Sequence, residues 1–169
     1  MISSKYDWQF ATNFTDEKFL KQAKKAGLEP AAASLLYQRG VQTEEALQEF
    51  LEPSLDQLHD PYDLHDMERA VERIRAAIEN YEQILIYGDY DADGMTSASI
   101  VKEALEQLGA ECQVYLPNRF TDGYGPNSSV YKYFIENQGI SLIITVDNGV
   151  AGLEAIELAQ SLGVDVIVT

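Results

Sequence analysis

A single cysteine, Cys112, stands in the 169 residues and excludes an internal disulfide. It opens the apolar stretch Cys112-Gln113-Val114-Tyr115-Leu116 and reads as a small buried side chain. Long hydrophobic runs are also missing. The longest are too short to span a bilayer, so no membrane association is expected. No basic, apolar, small-residue leader precedes the first helix, and a cytoplasmic location is the expectation. Basic residues are scarce. Twelve Lys and Arg face twenty-eight Asp and Glu, for a net charge of −16, which argues against general electrostatic attraction to a polyanion. Only metal ions together with a local basic groove would offset that. Histidine is limited to His59 and His65, which read as surface or hinge residues rather than ligands. No internal repeat or low-complexity tract is present, and no Gly-x-Gly-x-x-Gly follows the first strand, which counts against a dinucleotide fold.

What the chain does have is Gly88-Asp89-Tyr90-Asp91-Ala92-Asp93-Gly94, directly after the apolar stretch Ile84-Leu85-Ile86-Tyr87. An extended backbone sends every second side chain to the same side. Asp89, Asp91 and Asp93 are therefore expected to converge just beyond a strand end. Crowded carboxylates raise one another's pKa values unless a cation neutralises them. Oxygen-only clusters suit hard divalent ions such as Mg²⁺, Ca²⁺ or Mn²⁺. Two other readings are weaker. A solvated turn needs one or two Asp, not three in register. A calcium loop of EF-hand type matches from Asp89 to Gly94 but has Ile100 where a bidentate Glu belongs, and no helix leads into it. A metal cluster at a strand tip survives.

The 46% hydrophobic fraction is that of a globular chain, long enough for one good core and a small accessory lobe. Residues 1–65 read as a helical region plus connector, and 66–169 as the first part of an α/β domain. Between Thr15 and Leu51 short helices are expected: Lys18–Ala26 stopped by Gly27, Pro30–Tyr37 stopped by Gly40, and one capped by Thr43 that ends before Pro53. Pro53 to Asp66 is an irregular connector. From Met67 to Tyr81 an apolar stripe has helical spacing. Beyond it strands at Ile84–Tyr87, Cys112–Leu116, Leu142–Val146 and Val164–Thr169 alternate with helices at Thr96–Leu108, Ser128–Asn137 and Gly152–Leu162. Near-continuous apolar strands separated by helices predict a Rossmann-like parallel sheet with helices on both faces.

Ligands of such sheets gather outside the strands' carboxyl ends. Leu142–Val146 runs into Asp147-Asn148-Gly149, which alone would be an ordinary turn with a helix cap. With the triple-Asp loop at the same sheet edge, Asp147 reads as a further ligand. Paired metal ions roughly 3.5–4 Å apart recur in phosphoester hydrolysis. A third strand end carries Asn118-Arg119-Phe120-Thr121-Asp122-Gly123-Tyr124-Gly125. There Arg119 is a candidate for holding a phosphate and Tyr124 for stacking on a base, although a solvated Arg and a propped loop are the plainer readings.

Gly-Asp-Tyr-Asp-Ala-Asp-Gly, then Asn-Arg with Gly-Tyr-Gly, then Thr-Val-Asp-Asn-Gly, in this order, resemble the DHH phosphoesterase superfamily. The Gly-Asp-Tyr-Asp form is similar to its single-strand-specific exonuclease branch, and the likeness extends upstream to Phe50-Leu51-Glu52-Pro53 and Leu58-His59-Asp60-Pro61. The resemblance implies 5′-to-3′ hydrolysis of single-stranded DNA to mononucleotides in repair and recombination. The implied cofactor is Mn²⁺ or Mg²⁺ in a two-metal site, and DNA-repair or single-strand-binding proteins are the implied partners. It also implies Asp91, Asp93 and Asp147 as metal ligands and catalytic residues, with Asp89 as a further metal ligand or a partner of the ligands. The naming Asp-His-His motif is expected after Val164–Thr169, where the chain stops. An amino-terminal piece of a longer enzyme, binding metal weakly and inactive alone, is the expectation. The alternative within the superfamily is a phosphodiesterase of small nucleotides or oligonucleotides.

Overall fold

The structure, a computed structural model, describes Tyr6 and residues 16–169. The expected start of the helical region at Thr15, and the rest of residues 1–5 and 7–15, lie outside the described residues. Two compact units divide at Asp60/Pro61.

In the first unit, α1 (Glu17–Lys25), α2 (Pro30–Gln38) and α3 (Glu44–Leu51) enclose Phe19, Ala23, Ala33 and Leu47. Asp16 caps α1 through Lys18 N and Phe19 N, and Thr43 caps α3 through Ala46 N. The stretch after α3 forms short 3₁₀ turns at Leu55–Gln57 and, in the second unit, Pro61–Asp63.

The second unit runs α4 (Met67–Glu79), β1 (Gln83–Tyr87), α5 (Ala92–Gln107), β2 (Glu111–Tyr115), α6 (Ser128–Gln138), β3 (Ile140–Thr145), α7 (Leu153–Ser161) and β4 (Asp165–Val168). The four strands are parallel in the order β2-β1-β3-β4. Ile84 to Tyr87 are all buried, as a strand covered on both faces requires. The two-residue period divides them. Ile84 and Ile86 join Leu142 and Ile144 under Ala77 of α4 and Ala98 and Leu105 of α5. Leu85 and Tyr87 join Ile143 under Tyr131 of α6 and Ala155 and Ala159 of α7. A register shift between Gln83 and Ile84 opposes Ile140 and Leu142 and leaves Ser141 as an extra residue.

Tyr87 stands level with Tyr115 of β2 and Thr145 of β3, so the three following loops leave from one edge. The chain passes from β1 out to β2 and returns to β3 on β1's other side. The direction of winding reverses between β1 and β3, which makes the crevice beyond their carboxyl ends the switch point.

Helix α5 begins four residues earlier than the apolar periodicity indicates. Asp91 is its N-cap, accepting from Asp93 N and Gly94 N, so Asp93 lies in the first helical turn. The alternation that would align three acids holds only from Asp89 to Asp91, because a helix advances its side chains by a different period.

At the amino edge of the sheet, half-buried Arg73 of α4 donates to Asp165 (2.5 Å), Glu82 (2.6 Å) and the Ser141 carbonyl (3.2 Å). Ser141 Oγ donates to the same Glu82 carboxylate. Replacing Arg73 with Leu strands Glu82 with one partner fewer and is expected to lower unfolding free energy by about 1–3 kcal/mol. A urea denaturation series reads this directly; an unchanged midpoint would show that the network adds nothing to stability.

Candidate metal centre

The site grows from two neighbouring strand ends. Beyond β1, Gly88 N still donates to Tyr115 O, and Asp89 follows it into the interior with only 3% of its surface exposed. Asp89 Oδ1 accepts from Tyr90 N at 2.7 Å. The chain then turns into α5, whose first turn lies hard against Asp89. A Cβ at Gly94 would fall 2.4–2.6 Å from the Asp89 backbone, so only glycine fits there.

Beyond β3, Val146 N donates to Tyr87 O at 3.0 Å and continues the β1 pairing by one residue. Asp147 then adopts a left-handed conformation, φ 59°, which a short polar residue tolerates better than a bulky one. Gly149, at φ 117°, completes the turn beside Thr145. Thr145 Oγ1 donates to Asn148 O at 2.9 Å. The buried Asn148 amide donates to Val146 O at 3.0 Å and to Tyr87 O at 3.3 Å.

These turns bring one carboxylate oxygen from each of Asp89, Asp91 and Asp147 within 4.8 Å of one another. Asp93 is not part of that group, since it sits in the first turn of α5. Its charge still reaches Asp147. Partial desolvation, followed by the charges of Asp91, Asp93 and Asp89, pushes the Asp147 carboxyl above its ordinary value. Among the described residues no Lys, Arg or His forms an ion pair with any of the four acids. The partial positive charge at the α5 N-terminus offsets them only in part.

A set of carboxylate oxygens with no cationic partner has the donor chemistry of a hard divalent ion. Beside it, Asn148 Oδ1 is buried and has no hydrogen-bond partner among the described residues. Such an acceptor is uncommon unless a water or bound group satisfies it. The residues fit a divalent cation.

The loop after β2 faces the same edge. Asp122 organises it, with Oδ2 accepting from Tyr115 Oη and Asn118 N, both at 2.7 Å, and Oδ1 from Thr121 Oγ1 at 2.9 Å. Those bonds, from Tyr115 first, hold the Asp122 carboxyl below its ordinary value. Burial and the same bond push the Tyr115 hydroxyl up to about 12. Buried Tyr87 Oη ties the loop to β1 by donating to Gly125 O at 3.0 Å. Arg119 lies over the Tyr90 ring, its guanidinium carbon 4.4 Å from the ring centre, and the Tyr124 ring meets Tyr90 edge-on at 6.4 Å.

Tyr90, a spacer between two acids in the sequence, thus links the Arg119 loop to the acidic loop. Asn148 was equally inconspicuous, having the composition of a turn residue. A cavity of about 390 Å³ opens alongside, bordered by Tyr124, Pro126, Asp147, Asn148, Val150 and Thr169.

The model for the DHH family, N-terminal domain, matches residues 83–169. Over all 169 residues the chain is 41% identical to the single-stranded-DNA-specific exonuclease RecJ of Bacillus subtilis, and it covers 21% of that protein. To the RecJ exonuclease of Escherichia coli it is 38% identical over 146 residues, covering 85% of this chain and 24% of that protein. Among solved structures, exonuclease RecJ bound to manganese superposes with a TM-score of 0.58 at 31% identity, over 63% of this chain and 27% of that one. RecJ of Thermus thermophilus in complex with Mn²⁺ superposes with a TM-score of 0.55 at 26% identity, over 89% of this chain and 20% of that one. The chain spans about one fifth of the length of the curated relatives it matches.

A carboxyl that binds protons more readily folded than unfolded subtracts stability above its raised folded pKa. That stability returns as pH falls through the raised value. Asp147→Asn keeps a residue suited to the left-handed turn and removes the charge. In chelator-treated protein the substitution is therefore expected to raise the melting temperature at pH 7, with the gain vanishing below about pH 4. Thermal melts across that range decide it; equal melting temperatures at pH 7 would mean that the crowding is not felt.

Proposed function

Because the chain belongs to the DHH family, we propose that Asp89, Asp91 and Asp147 hold a divalent cation, Mn²⁺ or Mg²⁺, at a site that hydrolyses phosphodiester bonds of single-stranded DNA. The observation that carries the proposal is the meeting of three carboxylates from two adjacent strand ends, without a cationic partner among the described residues. Identity of 41% to a single-stranded-DNA-specific exonuclease supports the substrate, and similarity to manganese-bound RecJ supports the metal. When bound, such ions supply Lewis-acid chemistry and neutralise charge that builds on a phosphoryl group.

The protein's own residues do the positioning. Asp89 is fixed by burial and by the close approach of Gly94, and Asp91 by its bonds to the first turn of α5. Asp93 adds negative charge within reach of Asp147 and is the candidate for a second ion of a pair. Arg119, lying over the Tyr90 ring, would take a phosphate in this reading, and Tyr124 would offer a ring for stacking.

With a net charge of −16, nucleic acid gains little from the chain's overall field. Attraction to DNA then falls to the bound cation and Arg119. No helix among the described residues is long and apolar enough to cross a membrane. A cytoplasmic setting with DNA-repair or single-strand-binding partner proteins belongs to the same proposal.

Metal binding gives the first test. Mn²⁺ at one hundred times its dissociation constant is expected to stabilise the folded chain by about 2.7 kcal/mol, an increment lost in Asp91→Asn and Asp147→Asn. The second test is Mn²⁺-dependent release of mononucleotides from single-stranded DNA, against a dinucleotide control, by a protein of the relatives' length carrying these residues. Asp91→Asn is expected to lower release by roughly a hundredfold or more. Undiminished release, or a preference for the dinucleotide, would overturn the assignment.

A further inference from the structure

The Asp147 turn joins β3 to the acidic group through a backbone that does not favour its own shape. Asp147 is left-handed at φ 59°, and Gly149 stands at φ 117° in a space where a Cβ would lie 2.5 Å from Thr145 Oγ1. At Asp147, which is not glycine, this conformation carries a cost that its surroundings offset. The side chain best placed to do so is Asn148, which is 8% exposed. Its single amide nitrogen donates both to Tyr87 O, the last carbonyl of β1, and to Val146 O, just past β3. Asp89 follows Tyr87 by two residues, and Asp147 follows Val146 by one.

Resting on the reading that Asp89, Asp91 and Asp147 hold a cation, we propose that Asn148 is a positioning residue that sets the separation of the Asp89 and Asp147 carboxylates by clamping the ends of β1 and β3. The chemistry calls for asparagine. An aspartate would set an acceptor against two carbonyl oxygens, an aliphatic residue offers no donor, and a serine hydroxyl has one proton for two acceptors. The remaining backbone ties do not replace the clamp. Thr145 Oγ1 fixes Asn148 O, and Thr169 fixes Thr145 O through its own N and Oγ1, all on the β3–β4 side. Among the described residues, past the end of the β1–β3 ladder only Val146 N to Tyr87 O also crosses to β1, and it lies before the turn rather than within it.

Asn148→Leu is close in size, neutral and without donors. Titration of the chain with Mn²⁺, followed by the electron paramagnetic resonance of free ion, is expected to give about 10- to 100-fold weaker binding in a variant that circular dichroism shows to be folded. Wild-type affinity in the folded variant overturns the proposal. Asp147→Asn is the companion variant. If it also binds like wild type, the cation reading has failed; if it loses binding while Asn148→Leu does not, the positioning role alone has failed.

Should Asn148→Leu not fold, the side-chain amide of Asn148 is followed by NMR in the unmutated chain. Protons protected from solvent exchange and resonances that shift on Mg²⁺ addition are expected. Exchange as fast as in exposed Asn118 and Asn137, or no response to Mg²⁺, counts against the clamp.

Discussion

Mutual repulsion among carboxylates at the tips of two adjacent parallel strands is the constraint around which this domain is arranged. Like charges that close are tolerated only where the surroundings hold them or a counter-ion joins them. Here the holding is done by the scaffold. Asp89 is enclosed, Asp91 spends one oxygen on the start of α5, and Asp147 is carried on a left-handed residue. Each acid is set in place by a different device: burial for Asp89, a helix cap for Asp91 and the turn backbone for Asp147. The reverse of winding between β1 and β3 supplies the open crevice in which the three face one another.

Two sheet faces share the work of keeping those tips aligned. On one, α4 and α5 cover Ile84, Ile86, Leu142 and Ile144; on the other, α6 and α7 cover Leu85, Tyr87 and Ile143. Because the central strands are buried on both sides, a slip of register would turn every apolar residue into the wrong layer. The packing that stabilises the sheet is also what fixes the acids' relative height. Tyr87 shows the coupling in one residue. Its ring packs with Tyr115 and Tyr131, its hydroxyl ties down Gly125, and its carbonyl receives both Val146 N and the Asn148 amide.

Much of this was legible in the residues. Uninterrupted apolar runs such as Leu142-Ile143-Ile144 announced a doubly covered parallel sheet, and capping residues such as Thr43 marked helix starts. The acidic group was legible as a convergence of strand ends, but the helical start at Asp93 was not. Counting by twos from Asp89 assumed that the chain stays extended through Asp93, whereas the Asp91 side chain satisfies the free backbone N–H groups of Asp93 and Gly94 and starts a helix. Local capping chemistry won over strand periodicity. Tyr90 and Asn148 were illegible for another reason. Each acts through a partner far along the chain, Arg119 for one and the Tyr87 carbonyl, 61 residues away, for the other. Neither pairing leaves a trace in local pattern.

Gly94 has no functional group, yet the closest neighbours of its absent methyl are all main-chain atoms of Asp89. Side-chain repacking cannot make room where the obstacle is peptide backbone, so the position is closed to every other amino acid while this helix and this loop keep their contact. The depth to which α5 seats against the loop is thereby set by a hydrogen atom. Redesign of the acids for a different ion would inherit that seating unchanged, and a wider or narrower cage would have to be sought on the β3 side.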